Sequence, residues 1–403
     1  MKKAYLLIIA AALAFAGCSK NGPDTPRDPN AWMYDESLPV PILMGNIGAE
    51  PMTRAVVNDI KQITIGIYGL DVSDGQDAWS YGGAYNKSTK VNSILLNNEE
   101  ATVNDDGSVV FANGPMYYPL NSDNKFNFYA YHPRKGTETN LRCSGDGTYF
   151  YANYNIGYDD ILWDEAKAED FEYTKDESIY RISGYNAAYI RKVNEHGALN
   201  ENLPKLELEH KLTALKFKLN ADIEDAQALT AAGAVITGLS IDETYTKGTL
   251  IIADKRTTGN QTGQFIPDGS SIGTIQLRKG TNSKFEISDF SLLEDLDNDG
   301  NTYTIDFGDE LLLAPNPEGK SFKGRLHIKL SGIIQDIAIE LTDPDPLGTG
   351  NNFEPGMRYT YTIKVKGPEE IAAFAELKEW SDTDGGLVET EEEGEPINLT
   401  TGD

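Results

Sequence analysis

The chain has 403 residues, 63 acidic against 35 basic side chains, a formal net charge of −28 and two cysteines. That charge repels nucleic-acid phosphates and suits a self-repelling surface outside the cell, so nucleic acid is excluded as a partner. The length exceeds what one core usually serves, which predicts two domains.

Lys2 and Lys3 precede an apolar run from Tyr5 to Phe15, too short to span a bilayer as a mature helix. Phe15-Ala16-Gly17-Cys18-Ser19 follows. This order is similar to the bacterial lipoprotein signal, which implies cleavage before Cys18, lipidation of its thiol, and anchoring to a membrane rather than spanning it. With Cys18 acylated, Cys143 has no disulfide partner and stability must come from core burial. Residues 1–18 are thus read as the lipoprotein signal peptide with its lipidated cysteine. Residues 19–37, with Pro23, Pro26 and Pro29, are a tether that cannot form a core.

Leu38-Pro39-Val40-Pro41-Ile42-Leu43-Met44 is an apolar, strand-like run, followed by a Gly-rich step and Thr53-Arg54-Ala55. Between Cys18 and Lys61 the only basic residues are Lys20, Arg27 and Arg54. A trypsin-like protease cutting between Arg54 and Ala55 would free the body from its anchor and from the run 38–44. An ordinary surface loop with an exposed Arg is the other reading of these residues.

Beyond Ala55 the apolar residues alternate. Ile63, Ile65 and Ile67 share one face, and Phe126-Asn127-Phe128-Tyr129-Ala130-Tyr131 repeats the pattern, so each predicts a strand with one buried face. Residues 69–125 and 132–180 read as polar connections with short edge strands. A boundary is expected near Asn194 to Pro204, dividing an N-terminal β-sandwich domain, 38–203, from a C-terminal one, 204–386. Leu206-Glu207-Leu208-Glu209-His210 and Leu215-Lys216-Phe217-Lys218-Leu219 alternate sharply. Asp222 to Ala232 predicts a short helix with an acidic first turn, stopped by Gly233. Strands are predicted at 235–241, 249–253, 274–278, 303–307, 325–330, 337–341 and 359–366. Short strands with turn residues between them and little helix argue for sandwiches. Residues 367–380 carry helix-start chemistry, yet also allow a last strand from Phe374 to Trp380. Residues 387–403 form a C-terminal tail in which Ile397 and Leu399 alternate, as the inserted side chains of a donor strand should. A solvated acidic tail is the competing reading.

Several motifs bear on chemistry. Asp295, Asp297, Asp299, Asn301 and Asp306, with Gly300 at the turn, have the spacing of a calcium loop. Asp306 is short for the usual bidentate Glu and strands flank the loop, so a solvated acidic hairpin accounts for the same residues. Gly269-Ser270-Ser271-Ile272-Gly273 fits the G-x-S-x-G spacing but lacks the strand before and helix after that a hydrolase elbow needs. Gly319-Lys320-Ser321 has Ala314 where a phosphate loop needs its first Gly. His132, His196, His210 and His327 show no metal spacing. Tyr117-Tyr118, Tyr149 to Tyr158 and Trp163 suit either an aromatic ligand platform or sheet packing.

Blocks along nearly the whole chain resemble the fimbrillin family (Mfa-like fimbrillins), the lipoprotein-derived subunits of type V pili. They are the signal ending at Cys18, the early strand before Thr53-Arg54-Ala55, Phe128-Tyr129-Ala130-Tyr131-His132-Pro133, His210-Lys211-Leu212-Thr213-Ala214-Leu215-Lys216-Phe217, and Phe353-Glu354-Pro355-Gly356-Met357-Arg358-Tyr359-Thr360-Tyr361 followed by Trp380. The resemblance implies an all-β fold of two tandem transthyretin-like β-sandwich domains with long loops and few short helices, and it favours a strand before Trp380. It implies no catalysis. It also implies a precursor lipid-anchored at the outer membrane, cut after Arg54 by an Arg-specific protease, then polymerised with other pilin subunits into an extracellular fimbrium for cell adhesion. Assembly would be strand addition, in which main-chain hydrogen bonds hold a donor strand and pockets take its alternate side chains. The expected cofactor list is empty apart from calcium at the loop. Two rivals stand beside this reading. One is an outer-membrane lipoprotein that binds glycan or peptide through its Tyr-rich loops. The other is a glycosidase, which needs two carboxylates roughly 5 to 9.5 Å apart in a cleft.

Overall fold

The computed structural model describes residues 30–45, 63–73, 94–104, 106–120, 124–136, 141–144, 146–280, 286–288, 290, 302–315, 321–330, 332–342, 353–366 and 371–378, with backbone alone for 141–142, 302–303 and 371–378. In its first half the strands are β1 (Thr64–Asp71), β2 (Ile94–Val103), β3 (Val109–Phe111), β4 (Phe126–His132), β5 (Leu141–Cys143), β6 (Tyr149–Asn155), β7 (Leu162–Ala166), β8 (Phe171–Lys175) and β9 (Ser178–Ile182). Helix α1 (Ala187–Glu195) and strand β10 (Glu209–His210) follow. The second half has β11 (Thr213–Asp222), α2 (Ile223–Ala231), β12 (Val235–Tyr245), β13 (Lys247–Asp254), β14 (Phe265–Pro267), β15 (Ile272–Gln276), β16 (Thr302–Asp306), β17 (Leu311–Leu313), β18 (Ser321–Leu330), β19 (Ile333–Thr342), β20 (Arg358–Val365) and β21 (Ile371–Lys378).

The first sheet runs β10-β7-β4-β1-β2-β3, all antiparallel. Its central strands are covered on both faces. Ile65, Ile67, Phe126 and Phe128 pack into a core with Tyr189, Ile190 and Val193 of α1. Tyr68, Leu70, Tyr129 and Tyr131 pack on the other side against Phe150 and Ala152 of β6 and Leu250 and Ile252 of β13. The single buried face expected for the 63–67 strand is therefore half of the arrangement, because a second sheet, β14-β13-β6-β5, lies behind it. That sheet joins distant stretches: residues 247–267 supply β13 and β14, and β13 pairs with β6 from Lys247↔Asn155 to Asp254↔Tyr149.

The second half forms a sandwich of β16-β11-β20-β21, with β17 also on β11, facing β15-β12-β18-β19. Leu215, Phe217, Leu219, Ile236, Leu239, Ile241, Leu326, Tyr361 and Ile363 fill its core. β11 and β20 are parallel; every other ladder is antiparallel among the described residues. Ordinary antiparallel pairing then adds β21 to β20 over eight residues, from Arg358↔Lys378 to Val365↔Ile371. At the seam of the two halves, buried His210 sets Nδ1 2.8 Å from Asp160 Oδ2, and Arg358 Nε lies 2.9 Å from Glu310 Oε1 in an ion pair. Burial pushes the Glu310 carboxyl up to about 7 despite Arg358.

The all-β expectation holds, with α1 and α2 the only α-helices among the described residues. The helix expected at 222–232 is present, and Gly233 ends it at φ +65°. The strand reading before Trp380 holds for the described part, 371–378. Several elements depart from expectation. β2, β6 and β7 are core strands where polar connections with short edge strands were expected, and α1, β14 and β17 were not expected at all. In β6 the inward positions are Phe150, Ala152 and Tyr154, while Tyr149 and Tyr151 face outward, which gave the stretch its loop-like composition.

Candidate assembly face

The run 38–44 is placed by burial first. Val40 is fully buried and Ile42 is 5% exposed; both belong to the core beneath the first sheet, with Leu38, Leu43 and Met44 packed at its edge. Trp32, on a 3-10 turn at Ala31–Met33, closes the same core from one side. The backbone of the run is extended but barely paired. Ile42 N–H donates to Met116 O at 2.8 Å, Tyr118 N–H donates to Val40 O at 2.9 Å, and Pro41 bridges Tyr117. Pro39 and Pro41 have no N–H, so no continuous ladder forms here. Beyond the run, Gly45 N–H donates to Pro204 O at 2.8 Å. A Cβ at Gly45 would stand 3.1 Å from Lys205 Cγ and 3.3 Å from Pro204 O, a tight fit that favours glycine.

One side chain ties this segment down. Helix α1 starts at Asn186, whose Oδ1 accepts the Tyr189 N–H at 2.8 Å. The helix buries Tyr189, Ile190 and Val193, which turns Arg191 toward the segment's edge. Arg191 Nε donates to Trp32 O at 3.2 Å. Its Nη2 reaches Leu38 O at 2.6 Å, Glu36 O at 3.3 Å and Asp35 O at 3.4 Å. Asp35 folds the chain there by accepting from Ser37 N–H at 2.9 Å and Ser37 Oγ at 2.6 Å. Next to Arg191, the Lys192 pKa is raised, first by its hydrogen bond to Glu195 and in smaller part by Glu36. Beneath the segment, the Tyr118 hydroxyl has no hydrogen-bond partner among the described residues, and burial holds its pKa well above the usual tyrosine value.

The sequence marks 38–44 as an apolar, strand-like run, and within it Val40 and Ile42 are the buried pair. It missed Arg191, Tyr117 and Pro204, which meet the segment from 70 to 160 residues away. A signal for α1 existed in Asn186 followed by the helically spaced Tyr189, Ile190 and Val193. Cys18, Arg54, Ala55, Asp295, Asp297, Asp299, Asn301, Ile397 and Leu399 lie outside the described residues. Asp306 ends β16, with its carboxylate 3.1 Å from Lys216 Nζ. Among the described residues, no three His, Cys, Asp or Glu converge as metal ligands. Ser270 donates its hydroxyl to Asp268 at 2.7 Å, and a strand follows it. A cavity of about 220 Å³ is lined by Asp242, Glu243, Tyr245 and Phe322. Both its carboxylates are engaged, by Arg325 and Lys323. Burial works to raise the Asp242 pKa, but hydrogen bonds from Arg325 and Thr274 leave it lowered, the reverse of what a general acid needs.

A sequence profile described as fimbrillin-like matches residues 53–380. The chain belongs to the fimbrillin-like family. As a member it is a fimbrial type of surface protein. Solved structures similar to this fimbrillin-like chain include a candidate cell adhesion protein from Bacteroides uniformis, at 17% identity and a TM-score of 0.46, covering 86% of this chain and 99% of that one. Another is a candidate cell adhesion protein from Bacteroides fragilis, at 13% identity and a TM-score of 0.37, covering 86% and 100%. A third is the fimbrial anchor protein Mfa2 from Porphyromonas gingivalis, at 9% identity and a TM-score of 0.32, covering 86% and 100%. No curated protein matches the sequence.

Proposed function

We propose that this fimbrillin-like chain is a structural subunit of an adhesive fimbrium. It is exported as a precursor lipidated at Cys18 and held at the outer membrane, then cut by an Arg-specific protease between Arg54 and Ala55. It polymerises when a strand from another subunit replaces the run 38–44. The chain performs no catalysis in this reading, and its two halves act as consecutive pilus modules. One observation carries it: Val40 and Ile42 are core residues, yet the segment bearing them has a single bridge and lies N-terminal to Arg54. Removing it uncovers an apolar face and strips Met116 O and Tyr118 N–H of their partners, at roughly 1–3 kcal/mol for each group left buried. A face like that demands a replacement strand.

The test is on assembled fimbriae. Their subunits should begin at Ala55 and run as a ladder in unheated SDS gels, while Arg54→Ala should accumulate precursor and Cys18→Ala should leave the membrane fraction. Fimbriae built of subunits that begin at Cys18 overturn the reading. A second reading, capture of glycan or peptide, draws on the β8–β9 hairpin, where Tyr173 and Tyr180 stack at 5.6 Å and Ile179 and Tyr180 are exposed.

A further inference from the structure

The second sheet differs in charge from the rest of the molecule. Residues 141–155 and 247–268, which span β5, β6, β13 and β14, hold four of the 35 basic side chains but only three of the 63 acidic ones. All three acids are engaged locally. Buried Asp254 accepts Arg256 Nε with both oxygens at 2.9 Å. Asp268 accepts from Ser270 and Ser271, and Asp146 from Ser144 and Thr148. Lys247 stands exposed at the start of β13. On a chain of net charge −28, an anionic ligand meets little repulsion here.

The outward face of this sheet also carries unused recognition groups. β6 turns Phe150, Ala152 and Tyr154 inward, so Tyr149, Tyr151, Asn153 and Asn155 stand outward in a row. The rings of Tyr149 and Tyr151 are 5.6 Å apart, and the Arg256 guanidinium braces Tyr149 from 4.6 Å. Neither hydroxyl has a hydrogen-bond partner among the described residues. Thr249, opposite Asn153 on β13, donates Oγ1 to Asn153 Oδ1 at 2.8 Å. That bond fixes the amide and leaves its NH2 group unused among the described residues. Asn155 is exposed and lies opposite Lys247. The row is about 20 Å long, which suits an oligosaccharide better than a single ring.

A pyranose presents an apolar C–H face and a rim of hydroxyls. The face packs on an aromatic ring, and the rim needs amide and hydroxyl partners. A carboxylate on the sugar adds charge-assisted bonds to a cation. An acidic protein surface would use the cations and leave the rings and amides idle. The stacked Tyr173 and Tyr180 of the β8–β9 hairpin offer rings, but the cations beside them, Arg181 and Lys192, are already paired with Glu172 and Glu195.

We propose that the outward face of β6 and β13 binds an acidic oligosaccharide, with Tyr151 under a sugar ring, Asn153 and Asn155 on its hydroxyls, and Lys247 and Arg256 drawing its carboxylates. The site needs neither cleavage at Arg54 nor polymerisation, so its failure leaves the subunit reading standing. The purified full chain is titrated with trigalacturonate and with 3′-sialyllactose, each beside its uncharged counterpart, the trigalacturonate methyl ester and lactose. At least one acidic probe should bind, roughly fivefold more tightly than its counterpart, and added salt should shrink that preference. Tyr151→Ala should weaken binding roughly tenfold. Asn153→Asp keeps the acceptor for Thr249, so the fold is preserved while a like charge enters the row, and the preference for the acidic probe should vanish. Tyr180→Ala should bind as wild type does.

Equal binding of the acidic and uncharged probes to wild-type protein overturns the acidic class. Loss of binding in Tyr180→Ala, with Tyr151→Ala unaffected, moves the site to the hairpin and overturns the assignment to β6. Failure of both acidic probes overturns the saccharide; if the chain then dimerises at low salt and Asn153→Asp disperses the dimer, the face meets a second copy instead.

Discussion

Residues 38–45 and residues 371–378 each lay extended chain along the edge of a core, but they are attached by different forces. Strand β21 is held by backbone: eight consecutive residues pair with β20. The N-terminal segment has two hydrogen bonds to residues 116–118, one from Gly45 to Pro204, and the carbonyl contacts of a single guanidinium. Its prolines forbid more. Attachment through side-chain burial can be reproduced by another sequence with the same apolar spacing. A full ladder has to be unzipped before anything replaces it. By this measure β21 is the more extensively hydrogen-bonded of the two segments, and the N-terminal one depends more on side-chain burial.

Truncating each anchor should separate the two. Tyr361, in β20, is buried and donates its hydroxyl to Thr342 O at 2.8 Å. Tyr361→Ala should cost about 3–5 kcal/mol, by analogy with buried aromatic truncations, and should lower the denaturant midpoint of the whole second-half transition. Ile42→Ala should cost about 2–4 kcal/mol. Its effect should be local: amide exchange rises at Met116–Tyr118 and stays unchanged at 371–378. Exchange rising equally in both places would erase the distinction between the segments.

The seam offers a pH lever on the ladder end alone, since Glu310 pairs with Arg358, the first residue of β20. Its folded carboxyl is raised from 4.5 to about 7, chiefly by burial. A raised carboxyl gives stability that is present at acid pH and lost as pH rises from 4.5 to about 7. Glu310→Gln should flatten that fall relative to wild type when unfolding is followed across this window. Carboxylates with lowered pKa values, such as Asp242 and Asp254, act oppositely but are common to both proteins. The smallest effect is expected from Gly45→Ala, about 1 kcal/mol, read as faster exchange of the Gly45 amide.

Much of the ladder framework was legible because its strands alternate cleanly: β11 reads Leu215, Phe217, Leu219 inward, and α2 carries both an acidic start and a glycine stop. β21 was legible only through family likeness, since its three alanines and Glu376 favour helix while β20 supplies the ladder that overrides them. β2 hid behind Asn97-Asn98-Glu99-Glu100, where Asn98 takes φ +54° and the pairing with β1 shifts register. The candidate assembly face was half legible. The run 38–44 announces itself as apolar and strand-like, but no local pattern says that an arginine some 150 residues later will gather the carbonyls of residues 32–38.

The pairing of β13 with β6 sets the order in which the chain acquires its shape. The strand at 149–155 has its long partner at 247–254, so the layer behind the first sheet stays unbuilt until roughly a hundred further residues are available. Until then Tyr68, Leu70 and Tyr131 have no Leu250 or Ile252 to cover them. Closing that gap is a long-range event with a large loop-closure entropy, which slows folding and leaves apolar surface open to wrong partners meanwhile. The newly made chain therefore has an interval in which it is sticky on the wrong side. Anything that holds each molecule apart from its neighbours during that interval would protect the yield of native chains.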